Sequence, residues 1–138
     1  MRALFYMTAA MLLASCTTRA TVPSEADMDR IEAALAEDAC VGPLSDWQRQ
    51  YYFHPKYFGD EVAAAAREGR TPRSSGHVRS MIGFELRADA AKKSSSRTAL
   101  DHPPQGLPST AAKGERRAAG HFDLSANVLT MAHCDPKK

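Results

Sequence analysis

Residues 78–87 alternate apolar and polar side chains in the pattern typical of a half-buried β-strand. Val78, Ile82, Phe84 and Leu86 fall on one side of an extended chain, opposite mostly polar residues. Such a strand is stable only when another element covers its apolar side. We therefore expect a sheet with one buried face, together with an element that packs on that face.

A helix that begins near residue 24 is the expected cover. Ser24 and Asp27 have the spacing of a capped helix start. Three apolar residues follow at spacings of three and four, which places them on one stripe facing a core. They are Met28, Ile31 and Leu35. The other face is acidic, and we expect Gly42–Pro43 to end the helix, because glycine and proline commonly follow a helix end.

Two segments in the middle of the chain also predict regular structure. Residues 44–55 are rich in aromatic side chains and close on a proline, which favours a strand opened by a helical turn. Trp47 and Phe53 share one face of that strand and are expected in the core. Residues 60–68 contain four consecutive alanines and indicate a brief helix, which Gly69 ends.

The last third of the chain combines an irregular segment with a hairpin. Residues 88–120 are rich in Ala, Ser, Lys, Pro and Gly, which is typical of a long flexible insertion. Residues 121–134 predict two strands joined by a turn in which Asn127 adopts positive φ. Residues 87–120 carry seven basic residues against three acidic ones. The basic residues are Arg87, Lys92, Lys93, Arg97, Lys113, Arg116 and Arg117.

Composition limits the size of the core. Of the 138 residues 43% are hydrophobic, but 24 of them are alanines, so large apolar side chains are scarce. A chain of this length fits one domain and buries about two-thirds of its surface. These elements predict an α+β fold, with an amino-terminal helix packed on a small antiparallel sheet of three or four strands. A partly open all-β barrel is the alternative.

The first residues have the layout of a secretory signal. Within residues 1–15, one charge at Arg2 precedes a short apolar run and then small residues. The sequence Leu13-Ala14-Ser15-Cys16 resembles the lipobox of bacterial lipoproteins. The resemblance implies removal of residues 1–15, lipid on Cys16 and a periplasm-facing domain. Thr17 after the cysteine resembles the class sorted to the outer membrane. An ordinary signal peptide with a chance cysteine is the alternative.

The resemblance divides the rest of the chain into a tether, residues 16–23, and a single domain, residues 24–138. It also accounts for the odd number of cysteines, leaving Cys40 and Cys134 as a pair. In an oxidising compartment we expect them to form a disulfide. A metal site that joins Cys134 to His133 is disfavoured, because neighbouring strand residues point to opposite faces.

Three residues of the terminal hairpin are weak catalytic candidates. His121 and His133 are predicted to face each other across the hairpin, with Asp123 on the same face as His121. Two histidines and a carboxylate can bind zinc or transfer protons. The alternative is an ordinary solvent-facing strand surface, which we favour, so no metal or cofactor is predicted.

Other site signals are sparse. The sequence has no nucleophile-elbow motif, metal-binding histidine pair or phosphate-binding loop. Tyr57 and Phe58 follow Pro55 in an expected loop, where they form either a binding surface or part of the core. Net charge is +2, and removal of residues 1–15, which carry only Arg2, leaves +1. This balance excludes a globally basic nucleic-acid binder.

The leading functional hypothesis is a membrane-anchored, non-catalytic periplasmic domain that binds a partner or supports the envelope. Its expected partners are the membrane, through lipid on Cys16, and an envelope protein, or anionic lipid or lipopolysaccharide through the basic segments. One alternative is a small envelope hydrolase that uses His121, Asp123 or His133. Another is a periplasmic inhibitor of a foreign hydrolase, presenting residues 54–60 or 101–108.

Overall fold

The computed structural model describes residues 19–89, 95–104 and 113–136. Within these ranges the chain is an α+β domain with two helices and a five-stranded mixed sheet. The elements are α1 (Glu25–Ala36), a 3-10 turn (Leu44–Asp46), β1 (Gln48–Pro55), α2 (Gly59–Glu68), β2 (His77–Asp89), β3 (Ser96–Leu100), β4 (Glu115–Asp123) and β5 (Val128–Cys134). The predicted signal segment 1–15 and the lipidation site Cys16 lie outside the described residues.

The sheet has the order β3-β1-β2-β4-β5. β2 is antiparallel to both of its neighbours and β5 is antiparallel to β4, whereas β3 runs parallel to β1. The prediction of an α+β fold is confirmed, but the prediction of three or four antiparallel strands is wrong. The additional strand, β3, lies inside residues 88–120, which the composition predicted to be a loop, and β4 also begins there.

Helix α1 begins as the sequence predicts. The Ser24 hydroxyl accepts a hydrogen bond from the Asp27 amide (3.1 Å), and the Asp27 carboxylate accepts one from the Ser24 amide (3.2 Å). The predicted stripe of Met28, Ile31 and Leu35 is buried. The predicted end at Gly42–Pro43 is wrong, since α1 ends at Ala36. The Asp38 carboxylate accepts hydrogen bonds from the amides of Cys40 and Val41, which stabilises a turn there instead of further helix.

The core lies between α1 and one face of the sheet. Trp47 and Phe53 are buried in it, as predicted. Its other large side chains come from β1, β2 and β4: Tyr51, Ile82, Phe84, Leu86 and Phe122. Val78, predicted to share this face, is exposed. The β1–β2 register shifts so that Phe53 pairs with Ile82 but the next residue, His54, pairs with Val78. The three extra residues on β2 turn Val78 away from the core.

Ion pairs join α1 to the β3 edge of the sheet. Arg97 on β3 pairs with Glu25, Asp29 and Glu32 of α1, and Arg49 on β1 also pairs with Glu32 (3.1 Å). The acidic face of α1 therefore contacts basic residues of the sheet rather than facing only solvent. These ion pairs explain how β3, a short and mostly polar strand, is held in place without a run of apolar residues.

The two ends of the sheet are closed differently. We call one end of the sheet the disulfide end. Here β1 begins at Gln48 and β5 ends at Cys134, which forms a disulfide with Cys40, 94 residues earlier (Cα–Cα 6.3 Å). At the other end, the α2 end, β1 ends at Pro55 and α2 connects it to β2 at His77.

Two further predictions concern turns. Asn127 has positive φ (56°) in the β4–β5 turn, as predicted. The predicted brief helix corresponds to α2, which ends on Gly69 in the left-handed conformation.

Candidate functional site

The candidate site lies on the open face of the sheet, which is the face opposite α1. Because strand residues alternate, Tyr52 and His54 point away from the core that Tyr51 and Phe53 enter. Pairing of β1 with β2, and of β2 with β4, brings Glu85 and His121 onto the same face. All four side chains are half-buried by their neighbours. The open face therefore presents a continuous surface of aromatic and ionisable groups.

Tyr52 lies directly over a glycine. It is paired with Gly83 on β2, and a Cβ atom placed on Gly83 would lie 2.4 Å from Tyr52 Cε2 and 2.8 Å from its hydroxyl oxygen. Only a residue without a side chain leaves room for the ring to lie flat on the strand. Gly83 is buried as a result. The glycine therefore fixes the position of the aromatic ring at the centre of the open face.

Two histidines extend the aromatic surface from Tyr52. The His54 ring centroid lies 6.1 Å from that of Tyr52 and 5.8 Å from that of His121, which it meets edge to face. Burial lowers the pKa of His54, and the neighbouring His121 lowers it further. Loss of charge suits His54 to act as an aromatic group at neutral pH rather than as a cation.

Glu85 is the ionisable centre of the open face. Burial raises its pKa, while Arg87 and Arg117 oppose the increase. One of its oxygens, Oε2, is buried and has no hydrogen-bond partner among the described residues. Burial and the nearby Glu85 raise the pKa of Tyr52 to about 12, so that its hydroxyl stays protonated. The face thus offers an unused acceptor and a hydroxyl donor close to the aromatic rings.

The register shows how these groups are spaced. Glu85 is paired with Gln50, and Tyr52 occupies the next side-chain row, with His54 beyond it. Two residues of a strand span about 6.6 Å, so two rows separate His54 from Glu85 by roughly 13 Å. Direct proton transfer between the two requires hydrogen-bond distance, or one bridging water. His54 and Glu85 are therefore too far apart to act directly on each other as an acid–base pair.

The structure separates His133 from the other two predicted catalytic candidates, which lie two residues apart on β4. His121 is on the open face, but it is paired with Thr130, while His133 is paired with Ala119 across a register shift in β4–β5. The Asp123 carboxylate accepts hydrogen bonds from the amides of two turn residues, Ser125 (2.8 Å) and Ala126 (3.1 Å).

Asp123 and His133 each have a local partner. Asp123 has a lowered pKa, chiefly because of its hydrogen bond from the Ser125 side chain. His133 contacts the carboxylate of Asp135 (2.9 Å). Asp123 is therefore engaged in the β4–β5 turn, and His133 is engaged with Asp135 just after β5.

The other predicted site residues lie elsewhere. Tyr57 and Phe58 are exposed between β1 and α2, and do not belong to the core. Cys40 and Cys134 form the disulfide. Cys16 is outside the described residues.

Sequence reasoning missed Tyr52, His54 and Glu85 as a group. Tyr52 and Glu85 each occupy the position between two core residues of their strand, and His54 directly follows the core residue Phe53. This placement identifies a solvent-facing side but does not show which strands are neighbours. Sheet order, with β1 beside β2 and β2 beside β4, brings them together.

Within residues 19–89, 95–104 and 113–136, no group of three His, Cys, Asp or Glu side chains is arranged to hold a metal ion. The helices in the same ranges include none that is long and apolar enough to cross a membrane. Comparisons with protein-family models, with curated proteins and with solved structures give no match for this chain.

Proposed function

We propose that this protein is a lipid-anchored, non-catalytic domain of the bacterial envelope that binds a partner protein through the open face of its sheet. The observation that carries the proposal is the surface centred on Tyr52, with its half-buried rings and the buried Oε2 of Glu85, which has no hydrogen-bond partner in the part of the chain that the structure describes. Tyrosine combines a large contact area with a polar group, which makes it frequent at protein interfaces. A partner that donates a hydrogen bond to Glu85 would satisfy its buried oxygen.

The anchor in this proposal rests on Leu13–Cys16, which resembles a lipobox. The disulfide Cys40–Cys134 agrees with an oxidising compartment. More than one acyl chain is needed for stable attachment to a bilayer, and lipoproteins usually carry several.

Binding is favoured over hydrolysis by the spacing of the ionisable groups. The raised pKa of Glu85 and the lowered pKa of His54 are shifts that a proton-transfer site also shows. However, two side-chain rows separate these groups, and Asp123 is engaged in its turn. The inhibitor alternative requires a protruding loop at residues 54–60 or 101–108. Residues 54–60 comprise the end of β1, a short link and the start of α2, and residues 105–108 lie outside the described residues.

Site-specific photo-crosslinking in cells tests the proposal. A photoreactive amino acid replaces Thr130, which is exposed on the open face beside His121. The matched control carries the same group at Ala33, on the exposed side of α1. We expect a discrete crosslinked protein from position 130 and none from position 33.

Two further variants test the binding face and the lipid anchor separately. Tyr52→Ser removes the central ring and should abolish the crosslink at position 130, whereas Cys16→Ser should remove the lipid mass and release the protein from membranes. Crosslinks of equal yield from positions 33 and 130 would contradict the binding face. An unchanged lipidated mass in Cys16→Ser would contradict the anchor.

A further inference from the structure

The exposed large apolar side chains of the described residues are concentrated in one region. Five such side chains are exposed, by 36–62% of their surface. They are Tyr57 (42%), Phe58 (62%), Val62 (43%), Val78 (36%) and Val128 (50%). Single exposed apolar residues are common on proteins and need no explanation. A concentration of all five in one region suggests a surface that is covered in use.

The topology places all five at the α2 end of the sheet. Tyr57 and Phe58 follow the last residue of β1, and Val62 is on the first turns of α2. Val78 is the second residue of β2, and Val128 is the first residue of β5. The disulfide end, in the same described ranges, has no exposed large apolar side chain.

Helix α2 leaves Val62 exposed, and its acidic side chains contact the segment that follows the helix. The Arg70 guanidinium pairs with Glu61 and Glu68, and the Arg73 amide donates to Glu61 (2.7 Å). Ala65 is the buried residue of the helix. These contacts tie the helix to the segment that returns to β2.

The amino-terminal segment is attached to the same end. The Arg79 guanidinium donates a hydrogen bond to the Ala20 carbonyl oxygen and lies over the ring of Phe53 (5.5 Å to its centroid). Arg79 is two residues beyond His77, where β2 begins. Four residues separate Ala20 from Cys16, and four extended residues span at most about 14 Å. A lipid on Cys16 would thus hold the α2 end close to the bilayer.

The connection from β1 to β2 at this end is basic, and Asp101 and Asp123 lie at the same end. Residues 56–79 contain five basic and three acidic residues, a net charge of +2. Glu61 and Glu68, two of the acidic residues, are paired with Arg70. Lys56 is exposed, and its ammonium group lies 5.9 Å from the centroid of the Phe58 ring. An aromatic ring beside a lysine is a common combination at the membrane–water interface.

We infer that the α2 end rests on the bilayer surface, with Tyr57, Phe58 and Val62 among the lipid head groups. This inference depends on the proposed lipid anchor and adds an orientation to it. Because the strands run from one end of the sheet to the other, the sheet stands upright on the membrane. The open face is then directed sideways, where a neighbouring envelope protein can reach it.

Quenching by brominated lipid tests this orientation. The full-length lipidated protein is reconstituted into vesicles of phosphatidylethanolamine and phosphatidylglycerol, with or without brominated phosphatidylcholine, and flotation verifies attachment. One variant is Phe58→Trp, and the matched control is Gln48→Trp, an exposed position at the disulfide end. The native Trp47 is buried at the disulfide end and supplies the same background in both.

We expect brominated lipid to lower the emission added by Phe58→Trp about twofold, because interfacial side chains enter the head-group and upper acyl region. The emission added by Gln48→Trp should not change. If the protein floats but Phe58→Trp is unquenched, the orientation is wrong, the anchor stands, and another occupant such as a protein covers this end. If the unmodified sequence yields protein that carries no lipid and does not float, the anchor and the orientation both fail.

Discussion

Replacing Gly83 by alanine tests whether the glycine positions Tyr52. The added Cβ would lie 2.4 Å from Tyr52 Cε2 and 2.5 Å from Cζ, against about 3.5–4.0 Å for an ordinary carbon contact. The ring must therefore move by more than about 1 Å. Its end can swing away, so we expect a loss of about 1–2 kcal/mol in the free energy of unfolding, which is typical of an overpacked site.

Gly120→Ala provides the contrast. At this position the added Cβ would lie 2.2 Å from the backbone oxygen of Thr130, next to the register shift in β4–β5. A backbone oxygen cannot move without disturbing the strand pairing, so we expect a loss of about 3 kcal/mol or more. Urea unfolding measures both variants, and crosslinking at position 130 should decrease in Gly83→Ala.

A double-mutant cycle isolates the contact. In a Tyr52→Ser background the ring is absent, and Gly83→Ala should become neutral or slightly stabilising, because alanine restricts the unfolded chain more than glycine does. If Gly83→Ala costs the same in both backgrounds, Tyr52 is not the group that requires glycine. If Gly83→Ala and Gly120→Ala cost the same, the distinction between side-chain and backbone contacts is wrong.

Three further predictions concern Glu85 on the open face, the disulfide, and the ion pairs between α1 and β3. A raised pKa means that the folded state binds the Glu85 proton more tightly than the unfolded state does. The stability that this proton contributes is complete below the ordinary glutamate pKa, and it is lost as pH rises through the pKa of the folded state. Glu85→Gln should therefore gain stability relative to the native protein as pH rises above the ordinary glutamate pKa in urea unfolding, and a constant difference would contradict this. Replacing Cys40 and Cys134 by serine opens a loop of 94 residues and should cost about 4–5 kcal/mol in urea unfolding, and a loss below about 2 kcal/mol would contradict this. Arg97→Gln should cost about 1 kcal/mol, because its ion pairs are partly exposed, and should speed amide exchange in residues 96–100; unchanged exchange there would show that the ion pairs do not hold β3.

Local patterns in the sequence predicted much of this fold. The cap at Ser24, the buried stripe of α1, the strands β1 and β2, and the turn at Asn127 each depend on residues close together in the chain. Strand β3 could not be predicted in the same way. It has five residues, pairs in parallel with β1, and is held by ion pairs between Arg97 and a helix about 70 residues earlier.

The candidate site shows the same limit. Tyr52 and His54 could be assigned to the solvent side of β1 from alternation alone. Their proximity to Glu85 and His121 depends on strand order and register, which no local pattern specifies. The predicted pairing of His121 with His133 is wrong, because the turn pairs Asp123 with Val128, and this register places Thr130 opposite His121.

The central claim is that the open face binds a partner, and the affinity of the crosslinked protein for variants of this face tests it most directly. The partner is purified, and its Kd is measured for the native protein, for Tyr52→Ser and for the control Ala33→Ser on α1. Loss of a central aromatic contact costs about 2 kcal/mol or more, so we expect Tyr52→Ser to weaken binding at least about thirtyfold. Ala33→Ser should bind like the native protein. Equal Kd values for the native protein and Tyr52→Ser would contradict the claim.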